Sequence, residues 1–426
     1  MQERNFGFNI GGVEIPSFEQ NLNFEHHYTF AGVSTPEKQR KRGVEGMRTI
    51  TGFRSADNGI EGGVDRANEL NLFFNRFNSA APTLPTSEST ETKPPPPSTS
   101  YLLSHFISCI LTSAIMPQPR MMLVVTGDDF GYCPRRNQGI VESFQAGGIS
   151  NVSLLVNASA AKEAADLAKR HNIPMGLHAN LSEGVPVCPS LQQASTLVNQ
   201  RGFFHGKMGF RQALERGQLS MKQVELELRA QVRLFRELTG HLPHHMDGHQ
   251  HVHVLPEVRE VFAQVLSDLK ITYTRVPVEP GLHSCPAVPE HLHTFYTEVE
   301  KDALDSIPVF TRYGIRWPDV YLGLTTMGQN MSVPNLQRAL SHALAAGPSS
   351  GTSCSSASGC HPPVVTAELM VHPGYPSHPQ EGGCGEGPDD FSQSADRQHE
   401  LSVLRDPSLL ALYSQERVQL CAFKDI

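Results

Sequence analysis

The sequence has no excess of basic residues. Its 426 residues include 35 Lys and Arg against 43 Asp and Glu, a formal net charge of −8. A protein that binds nucleic acid neutralises backbone phosphates with Lys and Arg, so nucleic acid is not a predicted partner. The eight cysteines are scattered without CxxC spacing. In a chain of this length they are interpreted as reduced thiols, which predicts an intracellular, cytoplasmic protein.

Leader-like and membrane-spanning stretches are also missing. The first ten residues, MQERNFGFNI, have no basic-then-apolar pattern, so no secretory signal is predicted there. Residues 101–116 are apolar, but they include His105 and several Ser and Thr. The segment is also shorter than the roughly 20 residues that a spanning helix needs. We therefore predict no membrane partner.

The first 115 residues show no sustained hydrophobic periodicity. They lead into a Ser/Thr/Pro-rich tract at 86–100 that contains four consecutive prolines, 94–97. Such a tract cannot bury enough apolar surface to offset the loss of chain entropy on folding. We therefore predict that residues 1–115 form a disordered N-terminal extension that takes no part in chemistry, and that residues 116–426 form the folded domain.

From residue 116 onward, strand-like and helix-like patterns alternate. The continuous apolar run 121–126, bounded by Gly127, is typical of a strand buried on both faces. Further strands are predicted at 152–156, 173–177, 271–276, 320–325 and 364–371, and helices at 135–146, 160–170, 221–238, 256–269, 334–346 and 396–404. This alternation predicts an α/β fold with a parallel sheet, and its length suits a (β/α) barrel. Residues 347–363 are predicted to form a surface loop.

Residues 244–253, HHMDGHQHVH, contain five histidines and Asp247. Neutral imidazole is the commonest metal ligand among side chains, and a carboxylate is its usual companion. Leu242 and Pro243 before the run and a helical pattern after it are typical of a strand that ends in a catalytic loop. The alternative is a His-rich surface tract that binds metals only loosely. The setting favours the catalytic interpretation.

Polar groups recur after the predicted strands, where the working residues of a (β/α) barrel lie. These strand ends carry Asp128 and Asp129, His178, the run from Asp247 to His251, Arg275, and His372. We therefore expect the groups to share one rim of the sheet.

Adjacent carboxylates at Asp128 and Asp129 repel each other, and a nearby cation relieves that repulsion. A metal bound by one would leave the other free as a base. One Asp and two His leave coordination positions open for water and substrate, as a catalytic metal site requires. The alternatives are that Asp128 or Asp129 caps a helix, and that His178 is a packed core histidine.

Five motifs resemble those of the YdjC-like carbohydrate deacetylase family, which includes the bacterial chitooligosaccharide deacetylases and vertebrate members. They are TGDDFG (126–131), GLHANLSEG (176–184), HHMDGHQHVHVLP (244–256), TRVP (274–277) and AELMVHPGYPS (367–377). The resemblance runs from about residue 116 to the end of the chain. It implies a TIM-like (β/α) barrel variant, in agreement with the alternation. One departure is Gly127, where relatives usually have Ala, and it is expected to alter only local packing.

The resemblance also implies a set of roles. Asp128 would be the general base, and Asp129, His178 and His249 would hold a divalent cation. Family resemblance implies magnesium, although two imidazoles and one carboxylate suit zinc at least as well. Asp128 would take a proton from the attacking water while the cation stabilises the developing oxyanion.

His251 and Arg275 would line the substrate pocket, and His372 would protonate the leaving amine. The implied activity is metal-dependent hydrolysis of the N-acetyl group of an acetylated sugar or oligosaccharide, with release of acetate. A homodimer is also implied, because bacterial members form dimers. Two alternatives stay open: a metal-dependent hydrolase of another bond, such as a phosphoester, and a non-catalytic sugar-binding protein.

Overall fold

The structure is a computed structural model, and it describes residues 119–347 and 364–426. The predicted extension over 1–115 and all but the first residue of the predicted loop at 347–363 lie outside the described residues. Among the helices of the described part, none combines the length and the apolar character that crossing a membrane requires. The cytoplasmic location stays a prediction.

The prediction of an α/β fold is confirmed. The strands are β1 (Met121–Phe130), β2 (Asn151–Leu154), β3 (Met175–Ala179), β4 (Met246–Gly248), β5 (Val320–Leu322), β6 (Val365–Val371) and β7 (Val418–Leu420). The helices are α1 (Pro134–Gln145), α2 (Ala161–His171), α3 (Lys207–Glu215), α4 (Met221–Thr239), α5 (Val258–Leu269), α6 (Glu290–Arg312), α7 (Val333–Ala346), α8 (Asp390–Gln393), α9 (Asp396–Leu404) and α10 (Pro407–Gln415). Strands and helices alternate along most of the described chain, as the sequence predicts.

Seven parallel strands form one curled sheet in the order β4-β3-β2-β1-β6-β5, with β7 paired to the start of β1. Single backbone pairings join His245 to Tyr273 and Tyr273 to Arg316. They continue the curl from β4 towards the segment that leads into β5. The sheet is therefore the barrel-like variant that the resemblance implies.

Strand β1 is the centre of the sheet. It pairs with β6 from Met121 to Gly127 and with β2 near its carboxyl end, and its side chains are almost all buried. A parallel strand covered on both faces needs a continuous apolar sequence, which explains why its first six residues predict it so clearly. The polar residues Asp128 and Asp129 still belong to the strand, so the site begins inside the sheet.

The predicted strand at 271–276 is wrong as a regular strand. Only Tyr273 lies in backbone pairing, between His245 on one side and Arg316 on the other. The amide of Met246 donates to the carbonyl of Tyr273 at 3.0 Å, and the amide of Thr274 donates to that of Arg316 at 2.9 Å. Pro277, which lacks an N–H, follows directly and cannot extend this pairing. The segment is nevertheless extended, and it delivers Arg275 to the site.

Among the described residues, four helices and one strand were not predicted: α3, α6, α8, α10 and β7. Helix α6 buries Val299, Ala303 and Phe310 along one face, which is helical spacing. Its interior proline, Pro308, and its His- and Thr-rich first turns obscure that spacing in the sequence. Strand β7 has only three residues and is too short to be predicted from pattern alone.

Helix α1 is fixed tightly to the loop that follows β6. A Cβ atom added at Gly139 would lie 2.5 Å from the Cα of Gly374, so only glycine permits this approach. The Nε of Arg135 donates to the carbonyl of Pro376 at 2.6 Å. The amide of Tyr375 donates in turn to the carbonyl of Arg135 at 3.3 Å. These contacts hold the loop that contains His372.

Candidate active site

The carboxyl ends of four strands meet at one rim of the sheet. Asp128 and Asp129 lie near the end of β1, His178 in β3, His249 directly after β4, and His372 directly after β6. All five side chains are buried. They also line one cavity. The structure therefore brings together residues that lie up to 244 positions apart in the sequence.

Asp129, His178 and His249 form a group that fits a metal ion. One ligand atom from each lies within 4.8 Å of the other two. Asp129 Oδ1 is 3.1 Å from His249 Nδ1 and 3.6 Å from His178 Nε2. Within 119–347 and 364–426 this buried oxygen has no hydrogen bond of good geometry, which suits an atom that would bind a cation. One carboxylate and two imidazoles are a ligand set for a divalent ion.

Both histidines of this group are oriented by a second carboxylate. The Nδ1 of His178 lies 2.7 Å from Asp247 Oδ1, and the Nε2 of His249 lies 3.0 Å from Glu183 Oε2. With a cation bound, each imidazole would keep an N–H towards that carboxylate and offer the lone pair of its other ring nitrogen, on the side of Asp129, to the ion. Metal-binding histidines are commonly oriented in this way.

Arg275 occupies the centre of a carboxylate network. Its guanidinium donates two hydrogen bonds to Asp128, at 2.7 and 2.9 Å, and two to Glu368, at 2.8 and 3.1 Å. It also lies 3.0 Å from Asp247 Oδ2. Asp128, His178 and Asp247 are likewise close enough to share an ion. The guanidinium of Arg275 already lies against both Asp128 and Asp247. The group of Asp128, His178 and Asp247 therefore does not suit a metal ion.

The net charge of the site also fits a divalent cation. Its buried charged side chains are five carboxylates and three guanidinium groups: Asp128, Asp129, Asp247, Glu368, Glu400, Arg136, Arg275 and Arg397. Buried carboxylates need compensation from cations or from hydrogen-bond donors. The three guanidinium groups balance three of the five carboxylates. Protons on His178 and His249, whose pKa values are raised, or a divalent ion in their place would supply the remaining charge.

The pKa values reflect this excess of carboxylates. Burial lowers the pKa of His249, but the carboxylates of Asp129 and Glu183 outweigh it and raise the pKa to about 10. Burial raises the pKa of Asp129, yet His249, His372 and Arg136 bring it well below the usual value. Burial raises the pKa of Asp128 despite the neighbouring Arg275. The carboxyl group of Asp128, which lies beside the proposed metal ligands, therefore holds a proton more readily than a solvent-exposed aspartate does.

His251 and His372 are neutral in this environment. Burial and the charge of Arg275 lower the pKa of His251 well below its ordinary value. Burial does the same to the pKa of His372, helped by Arg397 and Arg136 and opposed by Asp129. The backbone amide of His372 donates to Glu400 at 2.6 Å, which fixes the loop on this side.

The cavity has a volume of about 310 Å³. This is at the lower end of the range for sites that bind small molecules. One side presents the charged and imidazole groups, and the other is apolar. The apolar wall is formed by Leu292, Phe295, Tyr296, Leu324 and Met370. A ligand would therefore have a polar end at the carboxylates and a less polar body against this wall.

Four residues of the site were not predicted: Glu183, Asp247, Glu368 and Arg136. Asp247 lies inside the His-rich run and Glu183 inside the motif 176–184. Both residues therefore belong to motifs recognised in the sequence, but neither of them was assigned a role. Glu368 had a usable signal, because a single charge inside the apolar strand VTAELMV is a buried charge that needs a partner. Arg136 gives no signal in the sequence.

A family model described as YdjC-like protein matches residues 122–415. The chain belongs to the YdjC-like family. The resemblance that the motifs indicate is therefore confirmed, and the match covers most of the described residues.

This YdjC-like chain is 69% identical over 314 residues to a carbohydrate deacetylase from Danio rerio, covering 73% of the chain and 100% of that relative. It is 51% identical over 311 residues to a Homo sapiens carbohydrate deacetylase, covering 73% and 93%. A chitooligosaccharide deacetylase from Serratia marcescens is 38% identical over 147 residues, covering 34% and 56%. These names agree with the prediction of a hydrolase that acts on amide bonds.

A crystal structure of a protein from Enterococcus faecalis superposes with a TM-score of 0.50 at 19% sequence identity, covering 72% of this chain and 98% of that one. At this identity the likeness supports the fold alone. It agrees with the barrel-like sheet described above.

Proposed function

We propose that this YdjC-like protein is a metal-dependent carbohydrate deacetylase. It hydrolyses the N-acetyl group of an acetylated sugar or oligosaccharide and releases acetate. The observation that carries the proposal is the convergence of Asp129, His178 and His249 from three strand ends, with Asp128 beside them in one cavity. The names of the relatives support the substrate class.

Asp129, His178 and His249 are the proposed ligands of the cation. When bound, a divalent ion supplies a Lewis acid that polarises the acetyl carbonyl and lowers the pKa of water. Family resemblance favours magnesium, whereas two imidazoles and a carboxylate suit zinc on ligand softness. Metal analysis of the purified protein decides between them.

Asp128 is the proposed general base. Its two oxygens accept hydrogen bonds from Arg275, and Oδ2 lies 3.8 Å from His178 Nε2. Its position beside the cation ligands allows it to take a proton from the attacking water. Because burial raises the pKa of Asp128, the carboxyl holds that proton better than an exposed aspartate would.

His372 is the proposed donor to the leaving amine. Its lowered pKa means that the imidazole is neutral before the reaction. The proton it donates therefore has to arrive after the substrate binds, and Asp128 holds one once water has attacked. The balance is one amide and one water consumed, and one acetate and one amine formed.

His251 and Arg275 stay proposals for the substrate pocket. His251 lines the cavity in the left-handed backbone region at φ 60°, so its side chain is aimed by a strained turn. All hydrogen bonds from the Arg275 side chain go to Asp128 and Glu368. We therefore assign Arg275 mainly to the orientation of Asp128.

The test is acetate release from N-acetylglucosamine and its oligomers by the full chain loaded with magnesium or with zinc. We expect stoichiometric acetate and free amine, abolished by a chelator and restored by the metal. Hydrolysis of a phosphoester panel without acetate release would favour the phosphoesterase alternative. Binding of the sugars without any turnover would favour the non-catalytic alternative.

A further inference from the structure

His245 is a histidine of the His-rich run that the proposed mechanism does not use. Its side chain is 0% exposed. Neither ring nitrogen has a hydrogen-bond partner among the residues that the structure describes. Leaving a buried polar group unpaired is destabilising, so an apolar residue would be expected at this position unless the imidazole has a role.

The imidazole of His245 packs closely between Gly176 and Phe423. A Cβ atom added at Gly176 of β3 would lie 2.1 Å from the ring of His245, so the ring rests directly on the backbone of that glycine. Phe423 stacks on the ring with a centroid distance of 4.0 Å and an interplanar angle of 18°. Two different parts of the chain therefore fix the plane of this one side chain.

His245 also contacts Asp247, a residue of the site. It precedes Asp247 by two residues, so the two side chains point to the same face of the extended chain. The Nε2 of His245 lies 3.5 Å from Asp247 Oδ2, and Asp247 Oδ1 lies 2.7 Å from His178 Nδ1. A continuous series of contacts thus runs from Phe423 through His245 and Asp247 to His178.

Phe423 belongs to the last residues of the described chain. Strand β7 pairs with Met121–Leu123, the start of β1, and the amide of Cys421 donates to the carbonyl of Leu123 at 3.0 Å. The hydroxyl of Tyr273 donates to the carbonyl of Ile426. We call residues 421–426 the C-terminal strap. It crosses the amino end of the sheet, on the side opposite the strand ends that carry the site.

We propose that His245 is a positioning residue of the site, held by the C-terminal strap. The Nε2 of His245 contacts Asp247 and restricts the position of its carboxylate. Asp247 then holds His178 with a proton on Nδ1 and a lone pair on Nε2. The inference rests on the proposed metal site for its consequence in catalysis, but the orientation of His178 is a property of the protein alone. Removal of the imidazole nitrogens should therefore loosen His178 without unfolding the barrel.

The decisive variant is His245→Phe, which keeps an aromatic ring for Phe423 to stack on and removes both nitrogens. We expect about a tenfold loss of metal affinity and of kcat, with KM unchanged, which is the low end of the effect of outer partners of metal ligands. His245→Gln places an N–H near the position of Nε2 and should recover most of the loss. Thermal unfolding checks that both variants fold.

Nitrogen NMR of the histidine side chains gives a readout that needs neither metal nor substrate. Burial lowers the pKa of His178, but Asp247 and Asp128 outweigh it and raise the pKa, so the spectra are taken at an alkaline pH where the ring is neutral. There we expect the wild-type ring to carry its proton on Nδ1, and in His245→Phe we expect a mixture of tautomers. A wild type without acetate release would overturn the proposed function and leave this measurement intact. Wild-type metal affinity and an unchanged His178 spectrum in His245→Phe would show that His245 only fills space.

Two further variants test the strap. Phe423→Ala removes the stacking partner and should reduce metal affinity in the same direction as His245→Phe. Tyr273→Phe is the matched control, because it removes the hydroxyl bond to Ile426 and keeps both the ring and His245. We expect Tyr273→Phe to have wild-type kcat and metal affinity. Equal losses in Tyr273→Phe and Phe423→Ala would indicate a general loosening and overturn the specific contact.

Discussion

Asp128 combines two properties that a catalytic carboxylate needs. It is buried, which raises its pKa, and it is fixed by two hydrogen bonds from Arg275. The same guanidinium also contacts Asp247 and Glu368. The orientation of the base is thus maintained by a guanidinium group that Asp247 and Glu368 hold in place.

Asp128→Asn should lower kcat by about a hundred- to ten-thousand-fold, the usual range for the loss of a general base. The variant should still fold and retain metal, since Arg275 keeps Asp247 and Glu368 as partners and the three ligands are unchanged. Acetate assays and metal analysis of the same sample check this. Glu368→Gln is the control, because it weakens Arg275 without removing the base; if it matched Asp128→Asn, the defect would lie in Arg275.

The ligand assignment makes a separate prediction. His178→Ala and His249→Ala should each lose bound metal, because each removes one of three ligands. Elemental analysis after dialysis measures the loss. His251→Ala is the control within the same run of histidines, and it should keep metal while changing KM. Full occupancy in both ligand variants would contradict the proposed site.

Protons and the cation compete for His249. Its pKa is raised to about 10 by Asp129 and Glu183, so the imidazole is protonated across the neutral range. A cation that binds its nitrogen has to displace that proton. We expect metal affinity to rise by up to about tenfold per pH unit between pH 6.5 and 8.5. Calorimetry in buffers of different ionisation enthalpy should detect about one proton released, and affinity independent of pH would contradict this.

At the scale of elements, the turns after the strands carry both the chemistry and the packing. The turn at 323–325 follows β5 and is held by Glu279, whose carboxylate accepts from the amides of Leu324 at 2.6 Å and Thr325 at 3.2 Å. Burial raises the pKa of Glu279 to about 7 despite these bonds. The folded protein therefore binds a proton at Glu279 that the unfolded chain loses near 4.5.

This shift predicts a dependence of stability on pH. The contribution of Glu279 to the free energy of unfolding is complete below about pH 4.5 and is lost as the pH rises towards 7, with a slope of up to about 1.4 kcal/mol per pH unit. Glu279→Gln should remove this slope, because the amide stays neutral while its oxygen accepts from both backbone amides. Denaturant unfolding at several pH values compares the two proteins. Equal slopes would contradict the prediction.

At the scale of the whole molecule, the family match begins at residue 122. We propose that residues 116–426 form the catalytic domain and that residues 1–115 are dispensable for chemistry. A protein of residues 116–426 should match the full chain in kcat, KM and unfolding temperature. A chain shortened further to begin at residue 126 would lose part of β1 and serves as the control that should fail to fold. A large loss of kcat in the 116–426 protein would contradict the proposal.

Much of this architecture could be predicted because the apolar residues of its strands and helices form clear runs or recur at helical spacing. Strand β1 and helices α1 and α4 are recognisable from apolar runs and helical spacing. The segment 271–276 has a strand composition, but its pairing depends on the distant residues 245 and 316, which no local pattern specifies. Helix α6 was missed because Pro308 and polar residues hide its buried face.

The candidate site was predictable to the extent that it lies at strand ends. Asp128, Asp129, His178, His249 and His372 were singled out on that basis, and they share one cavity. The second layer, Asp247 and Glu183 behind the histidines, could not be assigned, because only the folded geometry shows which carboxylate each imidazole meets. The contact of Arg275 with three carboxylates is likewise a property of packing.

The glycine contact between α1 and the loop after β6 has a consequence for substrate entry. With no side chain between Gly139 and Gly374, the helix and the loop that carries His372 shift together or not at all. Arg136 of the same helix lies 3.2 Å from Asp129, so displacing the helix would also break an ion pair in the site. A sugar that needs more room must therefore gain it on the opposite side, where Leu292 and Phe295 of α6 form the wall.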